Sequence, residues 1–434
     1  MTNTKEIKLN ASWDKPVVPA GEPKKRGLML EVMGIGEKVS ERRPINLSLV
    51  IDRSGSMNGG RLAAAKEAAK GVVSRLGEDD VFSLVVFDSS VDTLVAATRM
   101  TNPNKRRVLE TIDQVRTRGC TNLAGGWLEG ATCAAKVCDE MNFKMGHVVL
   151  LSDGHANEGI VEPTTLRSHA DEMASRGITT STVGVGNGYS PLQLEALSEG
   201  GLGRLHDAGT PEEMIETILG ELGEVVSVAA TNVEVYVRWP AELRVELLAD
   251  YRKQVMGNSM TVRLGQLLGG SCRTLPLMID VPAMPAGEEL TIGFELTAQD
   301  PESGTGLETI RSSTNLNVLP PDEAAAVERN NDIAERIARI WESTLGLESM
   351  RSNELGDFAG AAAMVRDEGQ ILAAFCEGTN LERSVRRNLS IAERKVARPW
   401  DGRSKRESMI AAKKRSKSER DLRSAPKGDW SDHL

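Results

Sequence analysis

Apolar strand-like runs alternate with amphipathic helix-like runs over one long stretch of this chain, from about residue 44 to residue 222. The runs INLSLVID, VFSLVVFD, HVVLLSDG and ITTSTVGVG are separated by longer segments in which apolar residues recur at helical spacing. Parallel strands need long crossover connections of this kind, and strands buried on both faces lose the alternation of apolar and polar side chains. The pattern therefore predicts an α/β domain with a doubly wound, mostly parallel sheet.

Shorter segments of alternating polarity lie on both sides of this stretch. GLMLEVMG precedes it, and TNVEVYVRW, MTVRLGQL and ELTIGFELTA follow it, with Pro- and Gly-containing turns between them. Such segments are typical of an antiparallel β-sandwich. Because they occur both before and after the α/β stretch, we predict that the α/β domain is inserted into the sandwich.

The chain after about residue 320 has a helical pattern. The segments AAVERNNDIAERIARIWESTLGL, ELGDFAGAAAMVRDEGQILAAF and LERSVRRNLSIAERKVA carry apolar residues at helix spacing and are predicted to pack as a small bundle. The predicted domains are N-terminal sandwich strands (1–43), the α/β domain (44–225), the rest of the sandwich (226–320), a small helical region (321–398) and a basic, disordered tail (399–434).

Charge is distributed unevenly along the 434 residues. The formal net charge is −9, yet residues 381–434 contain 16 Lys and Arg against 8 Asp and Glu. A basic tail on an acidic body favours either a solvated chain end or an association surface, including a contact with nucleic acid. The five scattered cysteines predict reduced thiols, and the chain has neither an apolar run of about twenty residues nor an apolar secretory signal. We therefore expect a cytoplasmic protein without a membrane-spanning segment.

One strand-like run ends in an acidic, serine-rich turn, VIDRSGSM. A phosphate-binding loop is a poor match, because Arg61 and Leu62 replace the lysine and the hydroxyl of G-x-x-x-x-G-K-[ST]. A serine nucleophile in a G-x-S-x-G elbow is also a poor match, since Asp52 and Ser56 stand where that motif places glycines around Ser54.

A metal-assisted serine hydrolase stays open as an alternative. Asp153 and either His155 or His206 follow Ser54 in the chain order Ser…Asp…His. A hydrolase of this kind requires one of these histidines within hydrogen-bond reach of the Ser54 hydroxyl.

The interpretation as a metal site gains from two later loops. Asp52, Ser54 and Ser56 offer three oxygen ligands from a single turn. Thr121 lies on the glycine-flanked loop RGCTNLAGG before a helix, and Asp153 directly follows the apolar strand HVVLLS. In doubly wound sheets, ligands bind beyond the carboxyl ends of the strands, and carboxylates and hydroxyls are the ligands that hard divalent cations prefer.

These residues resemble the metal-ion-dependent adhesion site (MIDAS) of the von Willebrand factor type A (VWA) domain, which has a Rossmann-like sheet. That site consists of D-x-S-x-S, a threonine on a later loop and an aspartate after the fourth strand. This chain has DRSGS at 52–56, threonine in GCTN and aspartate in LSDG, and the resemblance covers residues 44–222. It implies a bound Mg²⁺, or else Mn²⁺ or Ca²⁺, with the ligands Asp52, Ser54, Ser56, Thr121 and Asp153.

The same resemblance implies a function. A VWA site captures an Asp or Glu of a partner, whose carboxylate completes the coordination of the metal. The chain is therefore expected to be a non-enzymatic, metal-ion-dependent adhesion or adaptor module. Its arrangement is also similar to that of bacterial intracellular proteins in which sandwich strands flank a VWA domain. Such proteins often act beside AAA+ ATPases, so the expected partners include an AAA+ ATPase.

Four further residues lie near the predicted site. Arg53, inside the motif, is expected either to steer an acidic partner or to be solvated. Asp88, at the end of VVFD, is expected to form the following turn or else to support a metal ligand. His155 and Asn157 are expected to shape the rim of the site.

Overall fold

The computed structural model describes residues 6–35, 44–141, 143–153, 156–185, 191–208, 210–226, 228–301, 303–399 and 420–421. Contacts within the chain group it into two compact units. One unit comprises residues 38–228 and 301–304, and the other comprises residues 1–37, 229–300 and 305–434. No helix among the described residues is long and apolar enough to span a membrane.

The strands are numbered in chain order. They are β1 (Glu6–Trp13), β2 (Val17–Pro19), β3 (Lys24–Ile35), β4 (Asn46–Asp52), β5 (Val81–Phe87), β6 (Val91–Arg99), β7 (Gly146–Ser152), β8 (Ile178–Val185), β9 (Leu202–Ala208), β10 (Val228–Arg238), β11 (Arg244–Leu247), β12 (Arg252–Met256), β13 (Ser259–Leu268), β14 (Ser271–Val281), β15 (Glu289–Gln299), β16 (Ile310–Leu319) and β17 (Arg420–Asp421).

The helices are numbered in the same way. They are α1 (Arg61–Arg75), α2 (Asn102–Gln114), α3 (Leu123–Met141), α4 (Pro163–Ser175), α5 (Pro191–Gly200), α6 (Pro211–Val226), α7 (Pro321–Ala326), α8 (Asn331–Glu354), α9 (Phe358–Phe375) and α10 (Glu382–Val396).

The first unit is built on one six-stranded sheet in the order β6-β5-β4-β7-β8-β9. All neighbouring strands run parallel except β5 and β6, which are antiparallel. Every residue of β4, β5, β7 and β8 is buried, because helices cover both faces of the sheet. One face packs against α1, α2 and α6, and the other against α3, α4 and α5. The predicted α/β fold class with a doubly wound, mostly parallel sheet is confirmed.

The second unit contains a sandwich of two sheets, in the orders β1-β3-β14-β11 and β12-β13-β10-β15-β16-β2, with β17 paired to β14. The pairings whose register the described residues define are antiparallel, except that of β16 with β2, which is parallel. One apolar core holds buried side chains from both sheets, among them Leu30, Val235 and Leu277. Because β1–β3 precede the α/β unit in the chain and β10–β16 follow it, the predicted insertion into the sandwich is confirmed.

Three helices in sequence, α8, α9 and α10, pack on one another, and α8 also packs on the sandwich. Ile337 and Trp341 of α8 bury their side chains with Met29 of β3 and Met278 of β14. The sequence predicted a continuous helix from AAVERNN onward, but α7 ends at Ala326 and α8 begins at Asn331. The Asn330 side chain accepts a hydrogen bond from the Ile333 N–H at 3.2 Å, so a side-chain N-cap starts a new helix there.

Candidate metal centre

Two neighbouring strands deliver carboxylates to the same edge of the α/β sheet. β4 ends at Asp52, and β7 ends at Ser152, directly before Asp153. The two strands pair in parallel, up to Ile51 opposite Leu151. Both aspartates therefore lie at the carboxyl edge of the sheet and are buried.

The turn after β4 connects these two carboxylates through the Ser54 N–H and two serine hydroxyls. Asp52 Oδ1 accepts a hydrogen bond from the Ser54 N–H at 2.8 Å. The Ser54 and Ser56 Oγ atoms are 2.9 Å apart, and Ser56 Oγ donates to Asp153 Oδ1 at 2.8 Å. Four of the five predicted metal ligands thus belong to one hydrogen-bonded chain.

The loop before α3 places Thr121 beside this turn. The Gly55 N–H donates to the Gly119 carbonyl at 3.1 Å, which joins the two loops. The Thr121 N–H donates to Asn157 Oδ1 at 2.9 Å, and the Asn157 N–H donates to the Thr121 carbonyl at 3.1 Å. Thr121 is 4% exposed. Asn157 therefore holds the Thr121 loop. His155, which was also expected at the rim of the site, lies outside the described residues.

Asp52 is held by a residue that sequence reasoning missed. Ser152 Oγ donates to Asp52 Oδ2 at 2.7 Å. Burial raises the pKa of Asp52, the hydrogen bonds from Ser152 and Ser54 oppose that effect, and the negative charge of Asp153 adds to it. Two buried carboxylates this close are unfavourable without a nearby cation. In the sequence, only the position of Ser152, directly before Asp153 at the end of an apolar strand, could have indicated this role.

Arg61, at the start of α1, supplies one such cation. Its Nη1 donates to Asp153 Oδ2 at 2.6 Å and to the Ser56 carbonyl at 2.7 Å. The Arg61 side chain is 41% exposed, whereas that of Asp153 is fully buried. Sequence reasoning considered Arg61 only as a mismatch to a phosphate-binding loop and so missed this contact.

Arg53 is neither solvated nor free to steer a partner, which corrects both expectations for it. It is 7% exposed, and its Nε donates to Asp88 Oδ2 at 2.6 Å. Arg118 Nε donates to the same oxygen at 2.7 Å, and both arginines also pair with Asp92. Asp88 forms the expected turn as well, since its Oδ1 accepts from the Ser90 N–H at 2.8 Å.

The protonation of Asp88 follows from these contacts. Burial acts to raise its pKa, but the hydrogen bonds from Ser90, Arg118 and Arg53 outweigh burial, so the pKa lies below its ordinary value. Asp88 is therefore ionised at neutral pH and supports the motif through Arg53.

The donor set fits a hard divalent cation. Two carboxylates and three hydroxyls are oxygen ligands of the kind that Mg²⁺ prefers. Within the described ranges, no group of three or more His, Cys, Asp or Glu side chains is arranged to hold a metal. A softer, zinc-type ligand set is therefore not present among those residues.

Neither His206 nor His147 is placed to act as a base for Ser54. His206 lies in β9, three strands from β4 in the sheet order, which is roughly 14 Å at the usual strand spacing. His147 lies near the opposite end of β7, with its Nδ1 2.7 Å from Thr179 Oγ1. The Ser54 hydroxyl lies 2.9 Å from the Ser56 hydroxyl.

Comparisons with known proteins agree with this geometry. A family model described as the von Willebrand factor type A domain matches residues 46–217. The chain is 26% identical over 365 residues to the uncharacterized protein sll0103 of Synechocystis sp., covering 80% of this chain and 83% of that protein. It is 25% identical over 326 residues to the uncharacterized protein YfbK of Escherichia coli, covering 74% of this chain and 52% of that protein.

Human inter-alpha-trypsin inhibitor heavy chain H3 is 25% identical over 269 residues, covering 60% of this chain but only 29% of that protein. The chain thus spans about half of YfbK and under a third of the human protein.

Solved structures share the fold over nearly the whole chain. A von Willebrand factor type A protein from Catenulispora acidiphila superposes with a TM-score of 0.68 at 16% identity, covering 96% of this chain and 98% of that one. The ArnB paralog VWA2 from Sulfolobus acidocaldarius superposes with a TM-score of 0.55 at 18% identity, covering 95% and 98%. Residues 46–217 of this chain therefore match the von Willebrand factor type A domain by sequence, and the chain shares its fold with solved von Willebrand factor type A proteins.

Proposed function

We propose that this chain is a non-enzymatic module that binds a protein partner through a divalent metal ion. The ion would be held by Asp52, Ser54, Ser56, Thr121 and Asp153, with Mg²⁺ as the first candidate and Mn²⁺ or Ca²⁺ as alternatives. When bound, it would supply a positive centre that accepts a carboxylate oxygen from an Asp or Glu of the partner. The observation that carries the proposal is the continuous hydrogen-bonded chain from Asp52 through the Ser54 N–H and the Ser54 and Ser56 hydroxyls to Asp153.

Each residue has a separate task in this proposal. Asp52 and Asp153 balance the charge of the ion, while the hydroxyls are neutral and leave it attractive to a further anionic oxygen. Ser152 fixes the orientation of Asp52. Asn157 fixes the Thr121 loop, because it is hydrogen-bonded to both the N–H and the carbonyl of Thr121.

The family supports the general function. VWA domains mediate protein–protein interactions, and the inter-alpha-trypsin inhibitor heavy chains are among the relatives of this chain. An AAA+ ATPase is the partner that we propose to test first, since the overall arrangement resembles that of bacterial proteins that act beside such enzymes.

Calorimetric titration of the purified protein with MgCl₂ and MnCl₂ tests the metal site directly. Thr121→Ala removes one hydroxyl ligand and is expected to weaken metal binding by about 10-fold or more. Thr132→Ala, which removes an exposed hydroxyl on α3, is the matched control and is expected to leave metal binding unchanged. Equal metal affinities for Thr121→Ala and the wild type would contradict the proposed ligand set.

Capture of a partner tests the second half of the proposal. Tagged protein is used to capture partners from cell extract in Mg²⁺ and in EDTA, and a candidate AAA+ ATPase is then assayed as a purified protein. We expect the partner to be retained in Mg²⁺ and lost in EDTA and with Asp52→Ala. Retention of the same partner under all three conditions would show that binding does not use the metal.

A further inference from the structure

The exposed face of α10 carries a row of three arginines, Arg383, Arg387 and Arg394, which we call the arginine row. At about 100° per residue, these three positions lie within roughly 40° of one another around the helix. The opposite side of α10 is buried, with Val385 packed beside α8 and Val396 beside α9. The arginine row therefore points directly away from the core of its own unit.

The charge of this row is uncompensated. No carboxylate of the described residues pairs with the guanidinium groups of Arg383, Arg387 or Arg394. The neighbouring Arg386 differs, because it pairs with Glu377 and lies near Glu382. The arginine row is thus a local concentration of positive charge on a chain whose formal net charge is −9.

We propose that the arginine row binds the phosphate backbone of double-stranded nucleic acid. The three positions span about 11 residues of helix, or roughly 16 Å, and a duplex presents a phosphate about every 3.4 Å along each strand. Arginine is suited to this contact because its planar guanidinium group donates two hydrogen bonds to a phosphate at once. Residues 381–434 as a whole contain 16 Lys and Arg against 8 Asp and Glu. The sequence after α10 therefore also carries a net positive charge.

The composition of α10 favours a duplex over other polyanions. A helix that binds a membrane surface buries an apolar face in the lipid, but Val385, Leu389 and Val396 of α10 are already packed inside the protein. Single-stranded nucleic acid is bound largely through stacking on aromatic side chains, and α10 contains no Phe, Tyr or Trp. Contacts to phosphate alone carry no sequence information, so the binding is independent of base sequence.

Fluorescence anisotropy with a short fluorescein-labelled DNA duplex, measured over a range of NaCl concentrations, tests the proposal on the full chain. The variant Arg383→Gln/Arg387→Gln/Arg394→Gln keeps good helix formers at exposed positions, so it is expected to fold normally. We expect the slope of log affinity against log salt to fall by about 2.7, since each lost phosphate contact removes about 0.9. Replacing the same three arginines with lysine is expected to restore most of the slope.

The matched control is Lys105→Gln/Arg106→Gln/Arg107→Gln on α2, which changes the net charge by the same amount elsewhere on the chain. This control is expected to bind the duplex as the wild type does. An unchanged slope in the arginine-row variant, or an equal loss in the control, would overturn the proposal. So would a wild-type protein that binds phosphatidylserine vesicles or polyglutamate but not the duplex.

Discussion

Arg61 gives the candidate metal centre a permanent positive charge beside one of its two carboxylates. Its Nη1 lies 2.6 Å from Asp153 Oδ2, and both oxygens of Asp153 are engaged, since Oδ1 accepts from Ser56. A guanidinium group stays protonated at all ordinary pH values, so it neutralises Asp153 when no metal is present. With a divalent ion bound, the same charge would make the centre positive overall and so favour an anionic ligand. Arg61 is thus expected to lower metal affinity while it increases the attraction for a carboxylate.

Replacing Arg61 with glutamine tests this role. In Arg61→Gln the charge of Asp153 is left unpaired, so Mg²⁺ is expected to bind about tenfold more tightly by calorimetry. The melting temperature in EDTA is expected to fall, because a buried carboxylate has lost its partner. Arg75→Gln, at the other end of α1, removes an equal charge from an exposed position and is the control. Weaker Mg²⁺ binding in Arg61→Gln than in Arg75→Gln would instead identify Arg61 as an aid to metal binding.

Close packing between elements fixes the strand that carries Asp52. A Cβ atom added to Gly130 of α3 would lie 2.3 Å from Val50 Cγ2 on β4, and one added to Gly126 would lie 2.4 Å from the Phe87 ring on β5. The helix therefore approaches the sheet at glycines. The sequence predicted the helix AGGWLEGATCAAKVCDEM but not this approach, because a glycine in a helical pattern does not itself show what it packs against.

A pair of glycine substitutions separates packing from helix propensity. Gly130→Ala is expected to destabilise the α/β unit by about 1–3 kcal/mol, because the new methyl group overpacks against Val50. Gly346→Ala, inside α8, meets no atom within 4 Å and is expected to stabilise the protein by up to about 1 kcal/mol. Denaturant unfolding measures both values. Equal effects of the same sign would show that helix propensity alone determines the stability change. They would also show that α3 does not need its close contact with β4.

The helices that follow the sandwich carry a charge that opposes folding at neutral pH. Burial raises the pKa of Glu368, and the negative charge of Glu246 raises it further. A carboxyl with a raised pKa binds more protons in the folded protein than in the unfolded chain, so stability falls as pH rises from the unfolded pKa through the folded pKa. Glu368→Gln is therefore expected to stabilise the protein by about 0.5 kcal/mol at neutral pH, and by less near pH 5.

Thermal unfolding at both pH values checks this expectation. Asp367→Asn, which neutralises the exposed neighbour of Glu368, is the control and is expected to have a smaller effect. A destabilised Glu368→Gln at neutral pH would show that its side-chain hydrogen bond with Trp341 outweighs the charge repulsion.

At the scale of the whole molecule, periodicity in the sequence was sufficient to predict the fold class and the insertion of the α/β unit into the sandwich. Two-sided burial produces continuous apolar runs and one-sided burial produces alternation, so the two kinds of sheet could be told apart. The break before Asn331 could not be predicted, because the helical pattern continues across it. The five proposed ligands could be found from their spacing, whereas Ser152 and Arg61 contribute through side-chain geometry that no spacing encodes. Arg53 was wrongly expected at the surface, because its burial also depends on side-chain geometry that the sequence spacing does not encode.

The predicted domain boundaries lead to an experiment with two fragments. The buried side chains of both α/β cores all lie between Ile45 and Ile218, so these cores use no residue of the sandwich. A fragment of residues 44–226 is therefore expected to unfold cooperatively by circular dichroism and to bind Mg²⁺ as the full chain does. A chain that lacks residues 1–35 is expected to lose the sandwich, because β3 lies between β1 and β14 in its sheet. Its VWA domain is nevertheless expected to keep its metal affinity.

The two fragments distinguish a failure of folding from a failure of the site. A 44–226 fragment that unfolds cooperatively but does not bind Mg²⁺, when the full chain does, would mean that the metal centre needs residues outside the VWA domain. A fragment without a cooperative transition would mean that the domain depends on the sandwich for stability, although their buried cores share no side chain. Because the proposed ligands are drawn only from residues 52–153, we expect the isolated fragment both to fold and to bind.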